Sequence, residues 1–241
     1  LGEHAGRYEE LARRLNAWGF AVRGYDHYGH GESGGVRGAL PTPNRLVEDL
    51  ADVLASTRKR MDCKTPLILL GHSMGGLVAA HLVAQKLGRV DGLVLSSPAL
   101  DPGLSAFQKL LLAVLPSIAP DLRVHNGLDP KWISHDPQVV RAYQQDGLVH
   151  DRISGRLARY IAETGPLVLE AAPRWEVPTL LMYAGSDRLV SPRGSAAFAR
   201  AAPARVMEAQ AYPELYHEIF NELERAPVYA RLQAWLDRWF A

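Results

Sequence analysis

The sequence predicts an α/β fold, a mostly parallel sheet with helices on both faces, and three observations carry that reading. Short apolar runs of strand length alternate with helical patterns along most of the chain. One such run, Leu67 to Leu70, passes into the helical stretch after it through Gly71-His72-Ser73-Met74-Gly75-Gly76, with almost no linker. The alternation pauses from about Pro98 to Arg174 and then resumes, as it does when an insertion interrupts a single domain. Parallel strands joined by helical crossovers are covered on both sides, and their sites gather at the carboxyl ends of the strands.

Taken in order, apolar residues at Leu11, Leu15 and Trp18 mark an amphipathic helix from Tyr8, which Gly19 ends. Phe20 to Tyr25 is expected to be a strand. Asp26-His27-Tyr28-Gly29-His30-Gly31-Glu32-Ser33-Gly34-Gly35 is a glycine-punctuated structural turn, without the lysine and helix start of a phosphate loop. Thr42 as cap and Pro43 at the first helical position open a helix whose core face is Leu46, Leu50, Val53 and Leu54. Leu67 to Leu82 is a buried strand meeting a helix at Ser73, and Gly92 to Ser97 is the next strand.

Residues 98–174 are proline-rich and helical in pattern and are expected to form a helical lid, with 1–97 and 175–241 as the core. Ala106 to Leu115 carries more apolar surface than a one-sided helix needs. That helix either packs wholly on the main domain or gives the lid a greasy face toward lipid, being too short to cross a bilayer. Thr179 to Ala184 is a strand, Ser191 and Pro192 start a helix, and Val206 to Ala209 is the following strand. Val228, Leu232, Trp235, Leu236 and Trp239 form the inward stripe of the final helix.

With 241 residues and 47% hydrophobic composition, one large domain with a full core is expected. Lys plus Arg number 27 against 26 for Asp plus Glu, a net charge of +1, which argues against nucleic acid as a partner. Cys63 is the only cysteine, so no internal disulfide and no cysteine-rich metal site is possible. That usage fits a reducing compartment, and no apolar stretch reaches the roughly 20 residues of a membrane span. A soluble, cytoplasmic protein is the expectation. The chain starts at Leu1-Gly2-Glu3 without a methionine or a leading strand, so strands and any signal peptide are expected to lie upstream.

The chemistry centres on Ser73. Glycines two before and two after it let the chain turn sharply and push the hydroxyl outward, which is the nucleophile elbow of α/β-hydrolases. A serine needs a base to take its proton, and the base needs a carboxylate to orient it. On that fold the order is serine, acid, histidine. After Asp187, at the end of the 179–184 strand, the only histidine left is His217, 30 residues on. Asp187 is the favoured acid, Asp101 its rival. Met74, the residue after the nucleophile, offers one oxyanion amide, and no metal or organic cofactor is expected.

These segments together resemble the monoacylglycerol lipase and bacterial lysophospholipase group of α/β-hydrolases, a serine aminopeptidase-like hydrolase family. The resemblance runs through Leu1-Gly2-Glu3-His4-Ala5-Gly6-Arg7-Tyr8, the Asp26 to Ser33 loop, Gly71 to Gly76, Gly185-Ser186-Asp187-Arg188-Leu189-Val190-Ser191-Pro192 and Tyr216-His217-Glu218-Ile219-Phe220-Asn221-Glu222. It implies that Leu1 donates the second oxyanion amide, that Glu3 and Arg7 shape a polar pocket for the glycerol end of a substrate, and that the insertion is a lid. Two features depart from the pattern. The His-Gly pair that precedes Leu1 in the family is absent, and Phe220 stands where some relatives carry a second histidine. Read without the resemblance, Glu3 and Arg7 are a surface pair one helical turn apart.

The expected activity is hydrolysis of a single-chain acyl lipid, monoacylglycerol or lysophospholipid, through an acyl-enzyme on Ser73. Transient membrane-surface contact would run through the lid. The alternatives are a short-chain carboxylesterase, an acyltransferase, and a non-catalytic binding module on the same scaffold.

Overall fold

The computed structural model describes residues 1–103 and 119–240. The helix expected over Ala106 to Leu115 lies outside them. Helices α1 (Glu9–Ala17) and α2 (Arg45–Arg58) lead to strand β1 (Ile68–His72), helix α3 (Ser73–Ala84) and strand β2 (Gly92–Ser96). Residues 119–154 hold β3 (Arg123–His125), a 3-10 turn at Pro130–Trp132, α4 (Pro137–Gln145) and β4 (Arg152–Ser154). Then come α5 (Gly155–Ala171), β5 (Thr179–Ala184), α6 (Pro192–Ala201), β6 (Met207–Tyr212) and α7 (Ala226–Phe240).

Strands β1, β2, β5 and β6 form a four-stranded sheet in that order with every pair parallel, while β3 and β4 pair antiparallel in a separate ribbon. The side-chain period of two sends alternate residues to opposite faces. In β2, Leu93 and Leu95 face one core and Val94 the other. The first core is closed by α2, α3, α5 and α6 through Leu46, Leu50, Leu77, Leu157 and Phe198. The second is closed by Leu11 of α1 and by Val228, Leu232, Trp235 and Leu236 of α7. Helix α3 is buried along most of its length because it runs between the sheet, α2 and α5. Register aligns His72 with Ser96, Ser96 with Met182 and Ala184 with Tyr212. Ser73, Asp187 and His217 all follow strand ends on that one edge.

Three expectations need adjustment. Phe20 to Tyr25 is not a strand, because no strand among the described residues runs beside it to complete a ladder. Side chains hold it instead: Arg23 donates to Ser56 Oγ at 2.7 Å and Thr57 Oγ1 at 2.8 Å, and Phe20 and Tyr25 pack against the two cores. Helix α2 begins at Arg45 with Asn44 as its cap, since Thr42 spends its carbonyl on a turn to the Arg45 amide. Within residues 98–174, α5 packs on the body of the domain. Gly165 lies against the Leu100 carbonyl, and the Tyr160 hydroxyl is 3.1 Å from His81 Nδ1 of α3.

Candidate active site

Ser73 has φ of +53°, in the left-handed region that a side chain occupies only under constraint. Its neighbours enforce that corner. A Cβ on Gly71 would stand 2.5 Å from the Gly75 carbonyl oxygen and 2.8 Å from Gly76 Cα, so strand and helix cross where only glycine fits. Gly76 is confined by Pro98 at 3.0 Å, whereas a Cβ on Gly75 would meet only His27 Nε2 at 3.9 Å. The steric demand therefore falls on Gly71 and Gly76, and Gly75 leaves open space beside the serine.

Asp187 and His217 are joined directly. His217 Nδ1 donates to Asp187 Oδ2 at 2.6 Å, and both side chains are buried. The other carboxylate oxygen accepts the amides of Leu189 at 2.9 Å and Val190 at 3.0 Å, which fixes the carboxylate plane. Asp101 is engaged elsewhere, its Oδ1 accepting the Gly103 amide at 2.9 Å and its carbonyl the Ser191 amide at 3.0 Å. Ser73 and His217 line one cavity. Leu1 lines the same cavity, and Met74 sits in the first turn of α3, where backbone amides have no intrahelical acceptor and the helix presents its positive end.

Two kinds of residue line the cavity. Leu128, Pro130, Ile133, Leu189 and Val190 supply its apolar lining, and Glu3, Glu218 and Tyr143 its polar lining. His72 lines it too, its ring centroid 4.6 Å from that of His217, and burial first, then His217, pushes the His72 imidazole down to about 3. It stays neutral beside His217.

Behind the polar lining, Arg7 Nη2 donates to both oxygens of Glu218 at 2.7 Å, Arg7 Nε donates to Glu3 at 3.2 Å, and Tyr8 donates to Glu3 at 3.0 Å. The Arg7 and Glu3 side chains are only 9% and 15% exposed, so they are a buried pair and not the surface pair that spacing alone allows. Arg7 also lies 4.7 Å from the ring centroid of Tyr143 on α4. One guanidinium faces two buried carboxylates, so the pair holds on to a proton. Burial opposes ionisation of Glu3, yet Arg7 keeps it below the usual carboxylate range; burial and then Glu3 push Glu218 up to about 8.

This has a signed consequence for stability. A carboxyl raised from 4.5 to about 8 binds its proton more tightly in the folded state, so its contribution is lost as pH rises between those values. Burial lowers His27, His30 and His72 from 6.5 to about 4, 3 and 3, so their contributions are complete above about pH 6.5 and lost below it. Between about pH 6.5 and about pH 8 the histidines no longer oppose the carboxyl, while the Leu1 amine, lowered from 8.0 by burial, still does. Thermal melting should therefore show the wild-type Tm falling across this window relative to that of Glu218→Gln. A parallel fall in both would remove the shared proton from the account.

The family model described as "Serine aminopeptidase, S33" matches residues 1–224. The chain belongs to this family. The S33 chain is 35% identical over 240 residues to the monoacylglycerol lipase of Mycolicibacterium smegmatis, covering 97% of itself and 84% of that protein. It is 32% identical over 241 residues to phospholipase YtpA of Bacillus subtilis, covering 98% and 92%. The crystal structure of Paleococcus ferrophilus monoacylglycerol lipase superimposes with a TM-score of 0.87 at 35% identity, covering 98% and 90%. The chain spans a quarter of the length of an abhydrolase domain-containing protein of Dictyostelium discoideum. The fold of the S33 chain is the α/β-hydrolase fold.

Some participants in this S33 site escape sequence reasoning. Glu218 and Tyr143 meet Arg7, and Tyr8 meets Glu3, only after folding, and Glu218 looks like one more acid in a loop. Its position next to His217 was the one available signal. Asp26, in the glycine-punctuated turn, accepts the Ala5 amide at 2.7 Å and the Glu32 amide at 2.7 Å. The turn thus braces the segment that carries Glu3 and Arg7. Among the described residues no cluster of three or more His, Cys, Asp or Glu side chains could hold a metal ion.

Proposed function

We propose that this chain is a serine ester hydrolase acting on a single-chain acyl lipid, with Ser73 as nucleophile, His217 as base and Asp187 as its orienting acid. The observation that carries the proposal is the one cavity that holds Ser73 and the Asp187-paired His217 and is lined by both apolar and polar residues. An acyl chain suits the apolar lining and a hydroxylated head group the polar residues. Ser73 Oγ attacks the ester carbonyl as His217 Nε2 takes its proton. The Met74 amide and the Leu1 backbone nitrogen stabilise the oxyanion. His217 then returns the proton to the leaving alcohol, and water repeats the sequence to release the fatty acid and free Ser73. Residues 119–154 act as the described part of a lid, which would bring the site to a lipid surface. No helix among the described residues is long and apolar enough to cross a membrane.

A neutral head group fits better than a phosphate. The polar lining presents Glu3 and Glu218, and the Arg7 guanidinium is already held by both, so no free cation faces the cavity to pair with a phosphate. Monoacylglycerol is therefore preferred to lysophospholipid, the second reading that the likeness to phospholipase YtpA favours. A hydrolysis panel of monoacylglycerols, lysophospholipids, triacylglycerols and short p-nitrophenyl esters tests this. The highest kcat/KM should fall on monoacylglycerols. Turnover confined to two- to four-carbon esters would make the protein a general carboxylesterase, and transfer to added alcohols in place of water would make it an acyltransferase.

A further inference from the structure

Glu222 is almost wholly buried at 1% exposure, and it reaches back along its own loop and across to the segment after the 3-10 turn. Its Oε1 accepts the backbone amide of Tyr216, the residue before His217, at 2.7 Å, and the ring Nδ1–H of His135 at 2.8 Å. Its Oε2 accepts the His135 amide at 3.0 Å and the Leu223 amide at 3.3 Å. The His135 ring stacks on Tyr216 with centroids 3.6 Å apart and planes inclined 23°. The Ser134 hydroxyl donates to the Asn221 carbonyl at 3.0 Å, and the Glu218 amide donates to the Ile133 carbonyl at 2.8 Å.

We infer that Glu222 is a positioning residue that clasps the His217 loop to the cavity wall formed by residues 130–135. This rests on the triad proposed above and adds a residue that touches neither substrate nor reacting atoms. Three backbone amides and the His135 ring N–H donate to the carboxylate, so both oxygens must be acceptors, which a carboxylate satisfies and an amide does not. Asp187 sets which way the His217 ring turns. Glu222 sets where the backbone carrying that ring stands relative to Ser73, and ties it to Ile133, which lines the same cavity. Held at one end by Glu218 on Arg7 and at the other by Glu222 on His135, the loop has little freedom to drift.

The test is Glu222→Gln in the full chain. Its amide nitrogen would face a backbone donor, loosening the loop. Active sites are counted with a fluorophosphonate probe, and kcat per labelled site is measured beside the rate constant of labelling at Ser73. Both should fall together by about tenfold to a hundredfold, the scale of an ångström of misplacement. A purely structural role would lower Tm and the labelled fraction while leaving both rates per site at wild type, and that result overturns the inference. His135→Phe keeps the stack and removes one donor. It should lower both rates about threefold, and it decides the question alone if Glu222→Gln does not fold; unchanged rates there overturn the clasp as well. Ser73→Ala run alongside separates the readings: activity surviving it removes the triad and the clasp together, while a dead Ser73→Ala beside wild-type clasp variants removes the clasp alone.

Discussion

Replacing Ser73 by Ala should lower turnover by about 10⁶-fold while the protein still folds. The substitution removes the one oxygen that would form the acyl bond, and the cavity, the His217–Asp187 pair and the α3 amides remain. Residual activity then comes only from binding and oxyanion stabilisation, roughly 10³ to 10⁴ over water. Folding is expected to survive because the corner is enforced by the backbone crossing at Gly71 and Gly76 and not by the hydroxyl. Alanine inherits the strain of φ +53°, whereas glycine at the same position would relieve it. Ser73→Gly should thus melt above Ser73→Ala, both being inactive, which locates the strain at the nucleophile itself. Hydrolysis by purified Ser73→Ala, or continued fluorophosphonate labelling of it, would sink the assignment.

Where sequence reasoning succeeds and where it stops follows from the range of the interactions. The strand–helix alternation is local, set by side-chain periods of two and 3.6 residues, and the parallel sheet with two helical layers follows from it. The elbow is local too, since the same few glycines that make the turn are visible as letters. Asp187 and His217 are far apart in sequence, yet chain order on a parallel sheet places them, because each follows a strand ending on the same edge. Phe20 to Tyr25 shows the limit: its composition suits a strand, but a strand exists only with a partner, and composition does not say whether one is there. The buried polar network is least legible. Arg7 bonding Glu218 spans 211 residues, and Glu222 bonding His135 spans 87. Neither pairing has a periodic or spacing signal, and Arg7, Glu218 and Glu222 look like ordinary surface charge until folding removes them from water.

Asp187→Asn should reduce kcat by about 10⁴-fold, and the reason lies in which atom the asparagine must turn toward the histidine. Asp187 Oδ1 accepts two backbone amides, from Leu189 and Val190. An asparagine keeps those bonds only by leaving its carbonyl oxygen there, which points its NH₂ at His217 Nδ1. That nitrogen must then accept a hydrogen bond instead of donating one, so the ring proton moves to Nε2, the atom that has to take the proton of Ser73. The geometry survives and the tautomer is wrong. Asp187→Ala lacks the oxygen for Leu189 and Val190 as well, so it should lose both rate and stability, while Asp187→Asn loses mainly rate. Comparing kcat with Tm for the two variants separates orientation of the base from anchoring of the loop. If Asp187→Asn stayed within tenfold of wild type while Asp101→Asn collapsed, the acid would have to be reassigned to Asp101, against the 2.6 Å bond that His217 makes to Asp187.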